Sequence, residues 1–188
     1  VNTFATGGNI ECEACRDNSQ SVPGSDSPND CLCTVGFFFS TSGINALECV
    51  SCEEGKYKDT SDLEDSCFDC PADSNSPATS DDITDCTCNV GFTGPDGTDC
   101  AACELGKFKD VTGDAACESC AENTFANATA STVCFDCMPD STSPAESDHV
   151  DACVCDTGHA RIGSQLEPIC ASCFPGKFAV SGGCQNCT

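Results

Sequence analysis

The residues with most chemical potential are the cysteines, 22 of them in a chain of 188. Thiols at this density can bridge, hold metal or exchange electrons, and spacing decides which. Every cysteine stands in a close couple: 12/15, 31/33, 49/52, 67/70, 86/88, 100/103, 117/120, 134/137, 153/155, 170/173 and 184/187. Eight couples are C-x-x-C and three are C-x-C, and the stretches between them are similar in length, so the chain is an internal repeat. Zinc is the rival to bridging, because Cys49-x-x-Cys52 and Cys67-x-x-Cys70 fall just short of the spacing of a four-thiolate site. The alternation of C-x-C with C-x-x-C and the presence of sequons favour bridges, and an even count lets them all pair. Redox catalysis by C-x-x-C needs a βαβ framework that the sequence does not show.

Other catalytic chemistry has few candidates. The two histidines, His149 and His159, lie on different units without a nucleophile signature, and His159 stands where other units place Phe, so packing is its expected role. Carboxylates cluster at Asp62-Glu64-Asp65, Asp81-Asp82-Asp85, Asp96-Asp99 and Asp110-Asp114. They match no known calcium loop, and solvation is the default reading. No enzyme activity, cofactor or resident metal is therefore expected. Seven Lys and Arg against 31 Asp and Glu give a net charge of −24, which excludes a phosphate-binding surface and hence nucleic acid.

Composition tells what must hold these groups in place. With no Trp, one Tyr and one Met, no single large core is expected, and covalent bridges must take over from apolar burial. No stretch is long and apolar enough for a membrane span, and Val1 to Ile10 lacks the zones of a signal peptide. The expectation is that a signal was removed or that the chain starts within a longer protein, and that it resides outside the cell or at its surface.

Two kinds of unit recur. In one, a turn and an aromatic follow a couple: Gly55-Lys56-Tyr57-Lys58, Gly106-Lys107-Phe108-Lys109, Asn123-Thr124-Phe125-Ala126 and Gly176-Lys177-Phe178-Ala179. The pattern predicts a tight turn and a short strand whose aromatic covers a disulfide while the lysines face water. In the other, C-x-x-C runs to C-x-C through Ser- and Pro-rich connectors such as Asp73 to Pro77 and Asp140 to Pro144. No window shows sustained helical periodicity. The fold class expected is small, disulfide-rich and all-β or irregular, an elongated rod of tandem cysteine-rich repeats with almost no helix. The repeats divide as 1–48 (its first unit truncated), 49–99, 100–169 with one extra short unit, and 170–188, the start of another.

After each C-x-C comes a Gly and usually an aromatic: Cys31-x-Cys33-Thr34-Val35-Gly36-Phe37, Cys86-x-Cys88-Asn89-Val90-Gly91-Phe92 and Cys153-x-Cys155-Asp156-Thr157-Gly158-His159. This resembles the C-terminal half of an EGF-like module. The whole alternation resembles the ephrin-receptor-like cysteine-rich modules of large extracellular proteins, distant cousins of tumour-necrosis-factor-receptor repeats. The resemblance implies a connectivity: Cys33 to Cys49, Cys88 to Cys100 and Cys155 to Cys170 forward, and Cys15 to Cys31, Cys70 to Cys86 and Cys137 to Cys153 backward. Extending the rule closes Cys52 to Cys67, Cys103 to Cys117, Cys120 to Cys134 and Cys173 to Cys184. A rival scheme joins whole couples, first with first and second with second. With an odd number of couples it leaves one without a mate.

The ring rule leaves Cys12 and Cys187. Written after Thr188, Val1-Asn2-Thr3-Phe4-Ala5 follows Cys187 with the spacing that joins Cys120 to Asn123-Thr124-Phe125-Ala126. The expectation is one period of a longer tandem array, or a subunit joining head to tail through Cys187 and Cys12 into a strut or filament. The partner expected is thus the chain itself, with other extracellular proteins second. The alternative is a receptor or adhesion ectodomain presenting a ligand-binding face. Sequons at Asn127-Ala128-Thr129 and Asn186-Cys187-Thr188 predict N-linked glycans, and the Ser-Pro steps at 27/28, 76/77 and 143/144 are candidates for O-linked sugars. Phe37-Phe38-Phe39, with Ile44 and Leu47, forms either a satellite cluster or a lateral contact patch, and Ile162, Leu166 and Ile169 are a second such candidate.

Overall fold

A computed structural model describes residues 2–5, 11–41, 47–163, 168–180 and 183–186. Among them are eleven antiparallel two-stranded sheets, each made of strands consecutive in the sequence, and no α-helix. Most strands are two residues long. The longest pair, His159–Gly163 with Pro168–Ser172, reaches five. Strands this short follow from bridges that return the chain every 11 to 16 residues. One small ring has room for a hairpin and little else.

Two compact units form. The first comprises Val1–Asn89 with Gly94–Cys100 and the second Val90–Thr93 with Ala101–Thr188. In both, the interior is largely sulfur. Cys33, Cys52, Cys86 and Cys88 are fully buried in the first unit, as is Cys120 in the second. Phe4 and Phe125 add small apolar contributions, and Phe125 meets Phe135 with ring centroids 6.0 Å apart.

Three single-turn 3-10 helices, Pro28–Asp30, Ile83–Asp85 and Val150–Ala152, precede the three C-x-C couples. Their caps explain several of the carboxylates. The Asp82 carboxylate accepts the N–H of Thr84 at 2.8 Å, and that of Asp85 accepts the N–H of Asp82 at 3.2 Å, a reciprocal capping box. The hydrogen bonds from the Thr84 backbone and hydroxyl hold Asp82 below the ordinary carboxylate range. Ser27 and Asp30 repeat the box, and at the third turn His149 Nδ1 accepts from the N–H of Asp151 at 3.1 Å.

The lysine expectation needs correction. Lys58 and Lys109 are buried, at 0% and 2% exposure, while Lys56 and Lys107 remain partly exposed. Lys58 Nζ donates to Thr60 Oγ1 and Asp62 Oδ2, at 3.2 and 2.9 Å, and lies 5.5 Å from the Phe68 ring centroid. Lys109 Nζ donates to the carbonyls of Phe92 and Gly113, at 2.7 and 2.5 Å. Alternation along a strand treats the two lysines of Gly-Lys-aromatic-Lys alike. Only the second finds acceptors close by that enclose its ammonium group, Thr60 and Asp62 for Lys58 and the Phe92 and Gly113 carbonyls for Lys109.

Candidate functional site

The disulfides set the frame. Bridges join Cys15–Cys31, Cys33–Cys49, Cys52–Cys67, Cys70–Cys86, Cys88–Cys100, Cys103–Cys117, Cys120–Cys134, Cys137–Cys153, Cys155–Cys170 and Cys173–Cys184. Successive bridges thus engage the two members of one couple in different rings. Each ring is closed on itself, and only one or two residues separate it from the next.

What joins ring to ring, three times among the described residues, is a recurrent backbone joint. A glycine, the first cysteine of a following ring, the residue after that ring's strand, and a turn from a later ring come together. At Gly36, Cys52 N–H donates to the Gly36 carbonyl at 2.9 Å and Gly36 N–H to Lys58 at 2.8 Å. Thr79 N–H then donates to Cys52 at 2.9 Å and Lys58 N–H to Ser80 at 3.1 Å. The same four bonds link Gly91, Cys103, Lys109 and the Ala130–Ser131 turn, at 2.8 to 3.0 Å, and Gly106, Cys120, Ala126 and the Glu146–Ser147 turn, at 2.9 to 3.1 Å.

Only glycine fits the seat. Gly36, Gly91 and Gly106 have φ of +78°, +81° and +75°. A Cβ added at any of them would overlap the backbone carbonyl of Thr79, Ala130 or Glu146. Those three wedge residues themselves have positive φ, 70°, 56° and 62°. The wedges are the functional residues that sequence reasoning missed. A signal was present: Pro77-Ala78-Thr79-Ser80 and Pro144-Ala145-Glu146-Ser147 are near copies. The joint is made of main chain, so it accepts varied side chains. Among the described residues, no three His, Cys, Asp or Glu side chains converge as a metal site.

The remaining candidates lie apart. Cys12 is exposed and is the one cysteine without a bridge among the described residues; Cys187 lies outside them. Cys12 pairs with Ala5 across the first hairpin, as Cys184 pairs with Ala179 in the ring that its bridge to Cys173 closes. Asn127 and Asn186 are both exposed. Phe37, Phe38 and Phe39 form a strand paired with Glu48–Ser51 and are half-buried, with Arg16 4.7 Å above the Phe39 ring. Leu47, Ile162 and Ile169 are exposed, while Ile44 and Leu166 lie outside the described residues. His159 Nε2 is 3.7 Å from Asp140 Oδ2, and Asp62 is drawn to buried Lys58. Burial alone would raise the Asp62 pKa; the hydrogen bonds from Lys58, Thr60 and the Glu64 amide, with the Lys58 charge, outweigh it and hold the carboxyl below its ordinary value.

No protein-family profile matches the chain. It is 31% identical over 163 residues to cysteine repeat modular protein A of Toxoplasma gondii, covering 82% of this chain and 5% of that protein. It is 40% identical over 53 residues to ephrin type-B receptor 4 of Homo sapiens, covering 28% of this chain and 5% of the receptor. The chain therefore spans about 5% of the length of these curated relatives. With its ten bridges in series and its recurrent joint, the chain is a run of tandem cysteine-rich modules similar to those of the ephrin-receptor type.

Proposed function

We propose that this chain is a non-enzymatic structural repeat of an extracellular stalk or filament, with modules spanning 1–48, 49–99, 100–169 and 170–188. The recurrent joint carries this reading. The same four backbone bonds close three times around different side chains, as suits a chain that extends by adding units. Short rings then limit extension, because each bridge confines its loop, and the net charge of −24 keeps neighbouring copies apart at low salt. Copies join through Cys12 of one and Cys187 of another, since Cys12 already stands in the hairpin position of a bridged cysteine. Asn127 and Asn186 carry glycans, and Phe37, Phe38 and Phe39 form a lateral contact.

Electron microscopy of the purified full-length protein tests the reading. Fibres with a regular axial repeat support it, and monodisperse single particles at all concentrations refute it. The likeness to a receptor supports a second reading, a ligand-binding ectodomain. That reading expects the single particles.

A further inference from the structure

The ring closed by Cys120 and Cys134 carries a sequon beside an exposed apolar face. Its hairpin pairs Phe125 with Phe135, rings 6.0 Å apart, and that register carried onward sets Ala126 beside Cys134 and Asn127 beside Val133. Phe125 is buried, but Phe135 and Val133 are 52% and 51% exposed. Ala126 keeps the run on its course, because its N–H donates to Ser147 at 3.1 Å and its carbonyl accepts from Gly106 at 2.9 Å. Side chains two apart on an extended run share a face, so Asn127 stands opposite Val133 and diagonal to Phe135, a separation that long side chains bridge. The turn that follows is held at both ends. Ala130 N–H donates to Cys103 at 2.9 Å, Lys109 N–H to Ser131 at 3.0 Å, and the Ser131 hydroxyl to Ala128 at 2.7 Å. Asn127 and Thr129 are exposed on it.

Two sister rings fill the same places differently. In the ring of Cys52 and Cys67, Tyr57 faces Phe68, Asp59 and Ser66 stand where Asn127 and Val133 do, and Lys58 Nζ lies 5.5 Å from the Phe68 ring centroid. In the ring of Cys103 and Cys117, Phe108 faces Glu118, with Asp110 and Ala116 beyond. Of these three rings, the sequon falls in the one where an exposed aromatic is flanked by valine and Ala126 replaces the lysine.

We infer that Phe135 and Val133 are the docking face for the first N-acetylglucosamine of a glycan on Asn127. One side of a β-linked pyranose presents C–H groups, which suit the negative face of an aromatic ring, while its hydroxyls stay in water. The inference rests on the glycan that the structural reading gives Asn127. It makes that sugar part of the ring's fold and a cover that keeps the face from other chains.

Full-length protein from a secretory host tests it, in an Asn186→Gln background and trimmed by an endoglycosidase to a single N-acetylglucosamine. The sugar's ring protons are expected upfield of their positions on the reduced, denatured chain, as stacking on an aromatic ring requires. Amide exchange at Ala126 and Cys137, whose N–H groups donate to Ser147 and Asn123, is expected to be about threefold slower than in Asn127→Gln. Phe135→Leu keeps the face apolar and removes the ring, so both effects should vanish there, with N127Q/F135L exchanging like F135L. Non-reducing peptide maps showing the native bridges establish that each variant is folded. Sugar shifts that match the denatured chain or persist in F135L, or slowing that does not depend on Phe135, overturn the inference and leave the glycan and the structural reading standing. An unmodified Asn127 sinks the inference together with the glycan.

Discussion

Lys109 donates from Nζ to the carbonyl oxygen of Phe92 at 2.7 Å, across 17 residues of sequence. The ammonium group is almost wholly buried and also serves the carbonyl of Gly113. A cation here replaces the apolar side chain that a larger protein would bury, and it ties the end of one hairpin to the turn of the next ring. Lys109→Met leaves both carbonyls without this donor, at a cost of about 1–3 kcal/mol. Guanidinium unfolding of the oxidised protein measures that loss, and Lys107→Met, at a partly exposed lysine, is expected to change stability by less than about 0.5 kcal/mol.

Gly91→Ala separates two effects of glycine. The substitution strains a backbone at φ +81° and also drives a methyl group into the carbonyl of Ala130. Gly113→Ala incurs only the first, about 1 kcal/mol. Gly91→Ala is expected to cost about 1–3 kcal/mol more, and amide exchange should accelerate at Cys103, Ala130 and Gly91 itself.

The Cys88–Cys100 bridge closes a loop with sequence separation 12. Replacing both cysteines by serine releases the loop in the unfolded chain, and about 3 kcal/mol of stability is expected to go with it. Unfolding midpoints under non-reducing conditions report the loss. An unchanged midpoint would show that packing, and not sulfur, holds this ring.

Acid should loosen the Lys58 joint first. Asp62 titrates below its ordinary value of 3.8 in the folded chain, so its contribution is fully present above that pH and is lost as pH falls through the lower folded value. Protection factors at Lys58 and Gly36 are expected to drop in this acid window, and Asp62→Asn should remove that pH dependence while lowering protection at neutral pH.

Asn127 and Thr129 are exposed at a turn whose backbone is held by the Ser131 hydroxyl donating to Ala128 at 2.7 Å. Hydrolysis of material from the secretory pathway with a peptide-N-glycosidase is expected to release N-glycan from Asn127 and to leave aspartate at that position in the peptide mass spectrum. Asn127→Gln should lower the glycoprotein mass without altering the bridges.

Much of this was legible in the chain of letters. The couples of cysteines, the Gly-Lys-aromatic turns and the scarcity of large apolar residues dictate small bridged rings with short strands, because no other source of burial is available to a chain of this composition. The order of pairing was less open to inference: couple-with-couple and ring-by-ring schemes use the same cysteines, and only a family resemblance separated them. What the tertiary structure alone decided is how ring meets ring. Lys56 and Lys58 share a strand parity, yet one is partly exposed beside Asp69 and the other buried, because the fold brings Thr60, Asp62 and the Phe68 ring around the second ammonium group. Thr79, Ala130 and Glu146 share no side-chain chemistry, so their common role lies in a positive φ and a main-chain amide. Backbone geometry of that kind leaves little mark on residue identity, which is why the joint had to be seen in three dimensions.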